Sequence, residues 1–368
     1  MRIAMLSWRG PRHPRHGGAE VYTERVLSRL VEEGHEVTWY SGRYRGARPR
    51  EWNGIRLEHG LPNLAVYPSG HLWARYRHNS YDLFIDQINS LGFCLPSAGL
   101  PTMSLIHQLA LDIWDAELRW PLNPMGRRLE QAVLSRYRET PFVTVSQSTM
   151  DSLRDAGWRG EGHIVRNGVD RFTQTEKSPV PVITFLGRFK AKAKRLDHAV
   201  AIHQLVRKEL PDCELWVIGR GKVPKWLVGT PGVKIFDNVT DEERDRLLGA
   251  SWCCLATSVR EGWGLMVTES AAAGTPTVAY NVPGLRESVI DAVTGVLVKE
   301  SPQAAADELS GLFGTTERLK TMAAAANAIA LSFTWSHSIS DFITHLPSRT
   351  DHNHPASSRR TAFARPCP

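Results

Sequence analysis

A chain of 368 residues, 42% hydrophobic and 23% charged, has an ordinary globular composition and is too long for a single core, so two domains of common size are expected. No apolar run approaches the ~18 residues that span a bilayer, and the apolar stretch after Met1 is too brief for a secretory leader, so the chain reads as cytoplasmic. Five cysteines without a Cys-x2-Cys pair indicate neither a zinc site nor a disulfide framework. A formal net charge of +7, with no Lys before Lys177, suits contact with phosphates or anionic lipid as well as a plain solvated surface.

Arg2 to Ser7 reads as a buried strand. A loop through Gly17-Gly18 follows, then a helix from Ala19 to Glu33 with Val26, Leu27 and Leu30 on one face and Gly34 as its stop. Val37 to Tyr40 is the next strand, which completes a βαβ unit. Two glycines before a helix let backbone N–H groups approach an oxyanion closely, although turn chemistry alone also explains them. No Gly-Lys-Ser/Thr follows, so this is not a P-loop. Tyr81 to Asp86 and Pro101 to His107 are further strands. His107 stands at a strand end, where ligands collect in open α/β sheets; a hydrogen-bonded structural histidine is the plain alternative. Asn123 to Tyr137 reads as a helix, Phe142 to Ser146 as a strand and Gln147 to Ala156 as a helix. Asn167-Gly168-Val169-Asp170 reads as a turn with Gly168 at positive φ. The polar, Pro-bearing stretch 173–181 reads as a linker.

The second half opens with a strand from Val182 into Gly187-Arg188. Lys190, Lys192, Lys194 and Arg195 precede a helix from Leu196 to Leu210; the cluster is either an anion site or a basic surface patch. The stretch from Glu214 is a strand followed by Gly-x-Gly at 219–221, but the third Gly of a dinucleotide fingerprint is missing and Pro224 lies near its place. Val233 to Phe236 is a strand, and Thr240 with Glu243 forms a capping box for the next helix. The apolar run Trp252 to Ser258 is a strand. It leads into Glu261-Gly262-Trp263-Gly264-Leu265, and a helix from Leu265 to Ala273 closed by Gly274 carries Glu269. A helix N-terminus favours an anion, and two carboxylates beside an anion site suit a ligand with both phosphate and hydroxyl groups. Gly274 to Tyr280 is a strand, and Gly284 to Glu287 starts a helix. Gln303 to Leu331 is helical with a break near Gly314. Phe333 begins a last helix to about His345, and 347–368 reads as a disordered tail.

Glu261 and Glu269 resemble the Glu-x7-Glu motif of retaining family-four glycosyltransferases with the GT-B fold. The resemblance extends over residues 1–346. Gly17-Gly18-Ala19-Glu20 is similar to the Gly-Gly-x-Glu loop, Asn167 to Asp170 to the sequence closing the first domain, and Arg188 with Lys194 to the Gly-Arg…Lys loop. Gly274-Thr275-Pro276 and Gly284 to Glu287 match the downstream pattern, with Pro283 where a second Gly is common.

The resemblance implies an α/β GT-B architecture: two Rossmann-like βαβ domains, an interdomain cleft, and a C-terminal helix crossing back. The boundaries expected are 1–172 on the acceptor side, a linker 173–181, a donor-binding domain 182–332, the returning helix 333–346 and the tail 347–368. It implies retaining transfer of a hexose from a nucleotide-diphosphate sugar to a hydroxyl of a glycan, glycolipid or small molecule. Arg188 and Lys194 would stabilise the leaving diphosphate, helped by backbone at Gly17 and Gly18. Glu261, with N–H groups of Gly262, Trp263, Gly264 and Leu265, would bind sugar hydroxyls, Glu269 the ribose, and His107 the donor sugar. No cofactor and no metal are expected, because cationic side chains take the metal's place and no Asp-x-Asp motif occurs. No nucleic acid partner is expected. A peripheral membrane contact through Arg-rich residues 43–50, at the inner face of the membrane, goes with a lipid-borne acceptor. Three other readings stand beside this one: a catalytically silent nucleotide-sugar-binding scaffold, a Rossmann oxidoreductase, and a GT-B phosphorylase or epimerase acting on nucleotide sugars.

Overall fold

The computed structural model describes residues 1–46, 50–170, 172 and 175–347. Thr173 and Gln174 of the expected linker, residues 47–49 of the Arg-rich stretch and the expected tail from residue 348 lie outside the described residues. The contacts divide the chain into two units. The first holds residues 1–111, 124–166 and, of those described, 336–347; the second holds 112–123 and 167–335.

The first 166 residues form β1 (Arg2–Ser7), α1 (Gly18–Glu32), β2 (Glu36–Gly42), β3 (Glu51–Trp52), β4 (Ile55–Gly60), α2 (Val66–Tyr76), β5 (Leu83–Ile88), β6 (Thr102–Ile106), α3 (Asp112–Glu117), α4 (Leu122–Leu134), β7 (Phe142–Thr144), α5 (Gln147–Asp155) and β8 (Gly162–Ile164). Their strands make one sheet in the order β3-β4-β2-β1-β5-β6-β7-β8, parallel except at β3–β4. A parallel strand is covered on both faces, so it reads as an unbroken apolar run rather than an alternation. β1 is the example: Ile3, Ala4, Met5 and Leu6 are all fully buried.

The rest of the chain forms β9 (Val182–Leu186), α6 (Leu196–Val206), β10 (Glu214–Gly219), β11 (Val233–Asp237), α7 (Asp241–Ala250), β12 (Cys253–Ala256), α8 (Leu265–Ala272), β13 (Thr277–Tyr280), α9 (Leu285–Ser288), β14 (Gly295–Val298), α10 (Pro302–Phe313), α11 (Thr316–Ala330) and α12 (Trp335–Thr344). The sheet runs β11-β10-β9-β12-β13-β14 and is parallel throughout. Numbered within the unit, that is the doubly wound order 3-2-1-4-5-6. Its direction of winding reverses between the first and fourth strands, and ligands bind at the carboxyl ends flanking that reversal. Here the two strands are β9 and β12. The core beneath them includes Ile183, Phe185, Leu196, Ile202, Leu215, Val217, Leu255 and Val278.

Three expectations are corrected. Gly168 is not at positive φ. It is required by close approach: a Cβ there would lie 2.4 Å from the backbone nitrogen of Trp335, and the same segment bonds Val169 N–H to the Phe333 carbonyl at 2.7 Å. The Thr240 cap is present, its side chain accepting from Glu243 N–H at 3.2 Å, but the Glu243 carboxylate turns to Arg246 at 2.8 Å instead of completing a capping box. The described part of the expected linker, 175–181, is also no free tether. Lys177 Nζ donates to Ser251 O (2.7 Å), Gly274 O (2.9 Å) and Thr275 Oγ1 (2.8 Å), and Ser178 N–H donates to Ala250 O at 2.8 Å.

Candidate functional site

The reversal in the second sheet puts two loops side by side: 187–195 after β9 and 257–264 after β12. Both are pinned by buried hydroxyl and backbone bonds. Thr257, fully buried, donates through Oγ1 to the carbonyls of Lys194 (2.8 Å) and Arg195 (3.0 Å). Val259 N–H donates to Ala193 O at 2.9 Å, and Glu261 N–H to Pro283 O at 3.0 Å. Two loops locked at this many points hold their side chains with little conformational freedom left to lose on binding.

Glu261 and Lys194 meet at this junction. Lys194 Nζ forms an ion pair with Glu261 Oε1, and Ser258 Oγ donates to the same oxygen at 2.5 Å. Arg188, at the head of the same loop, is exposed and makes no ion pair among the described residues. Lys190 and Lys192 are exposed too. They line a cavity of about 1070 Å³ with Phe189, Trp226 and Arg286 among others, but Arg188, Lys194, Glu261 and Glu269 do not. This cavity and the charged junction are therefore distinct places in the unit.

The turn from Glu261 enters α8 through Gly264, whose φ of +87° suits glycine and whose Cβ would press against Leu285 Cδ2 at 2.9 Å. The first-turn N–H groups of α8 have no intrahelical partner and carry the positive end of the helix dipole. Trp263 is 2% exposed with its ring edge-on to Phe333, so it offers this site its backbone and not its indole face.

Glu269 sits about one turn into α8. The two carboxylates of the motif are answered by different cations: Glu261 by Lys194, and Glu269 by Arg244, whose Nη1 is 3.9 Å away. Burial pushes the Glu269 carboxyl up to about 7 against the pull of Arg244. Arg244 is shared with Asp241 (2.9 Å) and Asp245 (2.7 Å), so its charge is only partly spent on Glu269. Sequence reasoning missed Arg244, because an Arg with Asp three residues before it on a helix looks like any surface pair.

In the first unit, Gly17 is the N-cap of α1 and its N–H donates to Glu20 Oε2 at 2.7 Å. The Gly-Gly loop is thus closed by its own buried glutamate, and a phosphate can use that donor only if Glu20 releases it. Gly18 is the first residue of α1. His107 directly follows β6. Its carbonyl accepts from Thr149 Oγ1 at 3.1 Å and its ring meets Tyr22 edge-on at 5.2 Å. Its Nε2 is buried without a hydrogen-bond partner among the described residues, and burial pulls its pKa down to about 4, so the ring is neutral near pH 7.

Among the described residues no group of three or more His, Cys, Asp or Glu is arranged to hold a metal, and no helix is long and apolar enough to cross a membrane.

Residues 16–171 match the family model "Glycosyltransferase Family 4" and residues 180–314 match "Glycosyl transferases group 1". The chain is 34% identical over 153 residues to a phosphatidyl-myo-inositol mannosyltransferase of Propionibacterium freudenreichii, a match covering 41% of this chain and 35% of that one. It thus spans about a third of the length of that curated relative. Its fold is similar to sucrose-phosphate synthase from Thermosynechococcus elongatus (TM-score 0.77, 18% identity, 93% of this chain and 97% of that one). It is similar as well to HepE from Anabaena in complex with UDP-glucose (TM-score 0.72, 18% identity, 94% and 100%). The fold is the GT-B one, as the motifs led us to expect.

Proposed function

Since the chain belongs to the group 1, family-four glycosyltransferases, we propose that it moves a hexose from a nucleotide-diphosphate sugar to a hydroxyl of a glycan, glycolipid or small-molecule acceptor, with retention and without a metal. The observation that carries the reading is the junction of Lys194, Glu261 and Ser258 beside the N-terminus of α8, with Arg188 exposed on the same loop.

The chemistry follows from where charge develops. As the glycosidic bond breaks, its electron pair goes to the diphosphate, whose negative charge grows. Cations placed there bind the transition state better than the ground state. Arg188 and Lys194 take this part, and the α8 amides add to it. Glu261 accepts hydrogen bonds from sugar hydroxyls, and its pairing with Lys194 holds both groups in register before the donor arrives. Glu269, as a carboxylate, accepts from the ribose hydroxyls. The acceptor oxygen bonds to the anomeric carbon on the face the phosphate leaves, and its proton passes to the departing phosphate oxygen. That front-side route needs no protein nucleophile. Arg188 and Lys194 supply positive charge that a metal supplies elsewhere.

The test is a thermal-shift panel of UDP-, GDP-, ADP- and dTDP-sugars, beginning with UDP-glucose because HepE binds it. A donor at about 100 times its Kd stabilises the folded state by ~2.7 kcal/mol. A rise in Tm with one nucleotide class, absent in Arg188→Ala and Glu269→Ala, is expected. A rise with NAD(P) and none with any nucleotide sugar overturns the proposal. Silence throughout moves weight to a scaffold.

A further inference from the structure

The cavity of about 1070 Å³ takes no part in the chemistry proposed above. It is built wholly within the second unit, with walls from the loops after β9, β10, β12 and β13, from the start of α6 and from α3. Small-molecule sites run to about 300–1,000 Å³, so it has room for a sugar with its substituents. Two of its walls belong to the charged junction as well. Lys192 and Arg195 line it and flank Lys194; Val259 and Pro283 line it, and the Pro283 carbonyl accepts from Glu261 N–H at 3.0 Å. A molecule seated in the cavity therefore rests against the loops that carry Lys194 and Glu261.

The wall carries charges of both signs, but they are not equally answered. Glu300 pairs with Arg195, Asp112 with Arg260 at 3.6 Å, and Asp115 accepts from Asn123 Nδ2 at 2.8 Å. Asp197 lies in the first turn of α6, where the helix dipole favours a carboxylate. Lys190 and Lys192 are exposed, and their ammonium groups make no hydrogen bond or ion pair to another described residue. The partner of the Arg286 guanidinium is the neutral Asn281 carbonyl, at 3.0 Å. Positive charge is thus left over. Beside it stands Trp226, 53% exposed, whose indole N–H donates to no other described residue. Such a ring covers the C–H face of a sugar and offers its N–H to a hydroxyl. The exposed Asn281 side chain adds an amide for a second hydroxyl.

We propose that this cavity binds an anionic saccharide, a sugar carrying a phosphate or a carboxylate, with its ring on Trp226 and its anion taken by Lys190 and Lys192. Hydrogen bonds between an ammonium and an oxyanion are among the strong ones, and a lysine is a point charge that accepts either anion. A neutral sugar uses only the Trp226 half of the site, and inorganic phosphate only the lysine half. The donor's diphosphate has its own cations, Arg188 and Lys194, neither of which lines the cavity. On the transferase reading given above, the saccharide is the acidic or phosphorylated sugar of the acceptor, held against the loop of Glu261. The binding itself does not depend on that reading.

The test is isothermal titration of the full chain with glucose 6-phosphate, glucuronate, glucose and inorganic phosphate. At least one of the two anionic sugars should bind about tenfold or more tightly than glucose and than phosphate, and which one it is identifies the anion. Lys190→Ala/Lys192→Ala should lose about tenfold or more of that affinity and Trp226→Ala severalfold, with an unchanged Tm because all three side chains are exposed. Lys222→Ala/Lys225→Ala, the same change of charge at exposed lysines outside the cavity wall, should bind as the wild type does, and so should Arg188→Ala. Lys190→Ala/Lys192→Ala should also keep the Tm rise that a nucleotide sugar gives, so a failure of the cavity and a failure of the donor site are read separately. Four results overturn the proposal. Neither anionic sugar binds; phosphate binds as tightly as they do, which means an adventitious ion only; glucose binds as tightly as they do; or Arg188→Ala loses as much as Lys190→Ala/Lys192→Ala, which puts the ligand at the place of the donor diphosphate.

Discussion

Lys194 and Glu261, 67 residues apart in sequence, form an ion pair that joins the loop after β9 to the turn before α8. Both side chains are mostly buried, at 23% and 13% exposure. A pair in that position is more than a surface ion pair, because removing one member strands the other where water answers it poorly. Lys194→Met and Glu261→Gln should each lower stability by about 1–3 kcal/mol. The double variant should lose less than the sum of the two, and denaturant unfolding of all four proteins measures the coupling. Additive losses mean the two charges do not depend on each other.

Arg188 has the opposite profile. It is exposed and forms no ion pair among the described residues, so Arg188→Ala should leave Tm almost unchanged, within about 0.5 kcal/mol. Its kcat should fall by about 10²–10³, the loss typical of a donor aimed at developing charge. Steady-state rates beside a melting curve separate the two effects. A large stability loss shows a structural role instead.

Glu269 gives a pH signature. Burial raises its folded-state pKa to about 7 from an ordinary 4.5. A carboxyl with a raised pKa holds its proton more tightly in the folded chain, so its contribution falls as pH climbs from the ordinary value through the folded one. Glu269→Gln cannot ionise. The Tm of the variant minus that of the wild type should therefore grow between about pH 5 and pH 7 and level off above, by an amount on the order of 2 kcal/mol in stability. Asp86, also pushed up by burial to about 6, is present in both proteins and cancels. If Glu269 takes the proposed place at the ribose, donor affinity of the wild type should strengthen over the same range, because only the carboxylate accepts from two hydroxyls at once. A flat difference curve contradicts the burial.

His107 should not titrate where the enzyme works. With its pKa held near 4 by burial, the unfolded chain binds its proton first as pH falls, so stability is lost on acidification from about 6.5 toward 4 and is intact above. Ring proton shifts followed by NMR should stay constant from pH 8 down to about 5. A midpoint near 6.5 means the ring is solvated.

Gly168→Ala should be destabilising by about 1–3 kcal/mol, as overpacking is, because the new methyl meets the Trp335 backbone and no rotamer relieves a Cβ clash. Urea unfolding reads this directly.

The sequence was most informative where a single physical rule acted. Buried parallel strands are apolar almost throughout, so Arg2–Ser7 was legible to the residue. α2 was not. No element was expected there; Pro68 is the third helical residue, where its missing N–H has no intrahelical carbonyl to reach, and Gly70 packs tightly enough that a Cβ would meet the Phe93 ring at 2.4 Å. At the site, motif order nominated Arg188, Lys194, Glu261 and Glu269, and the structure pairs Lys194 with Glu261. The pairing of Lys194 with Glu261, the part taken by Arg244 and the closing of Gly17 by Glu20 depend on contacts across long sequence separations or on rotamers, which no local pattern encodes.

The chain changes unit four times, after residues 111, 123, 166 and 335. Neither unit is therefore one contiguous stretch of gene. A fragment ending at residue 172 lacks α12, and with it Phe342, which is fully buried and packs against Tyr22 at 6.1 Å. A fragment starting at residue 182 lacks both Val169, bonded to Phe333, and Lys177 with its three acceptors. Splitting this protein at its apparent midpoint should give two insoluble halves. Recombination between relatives at that point succeeds only when the incoming second half and the retained first half still agree about residues 333–346.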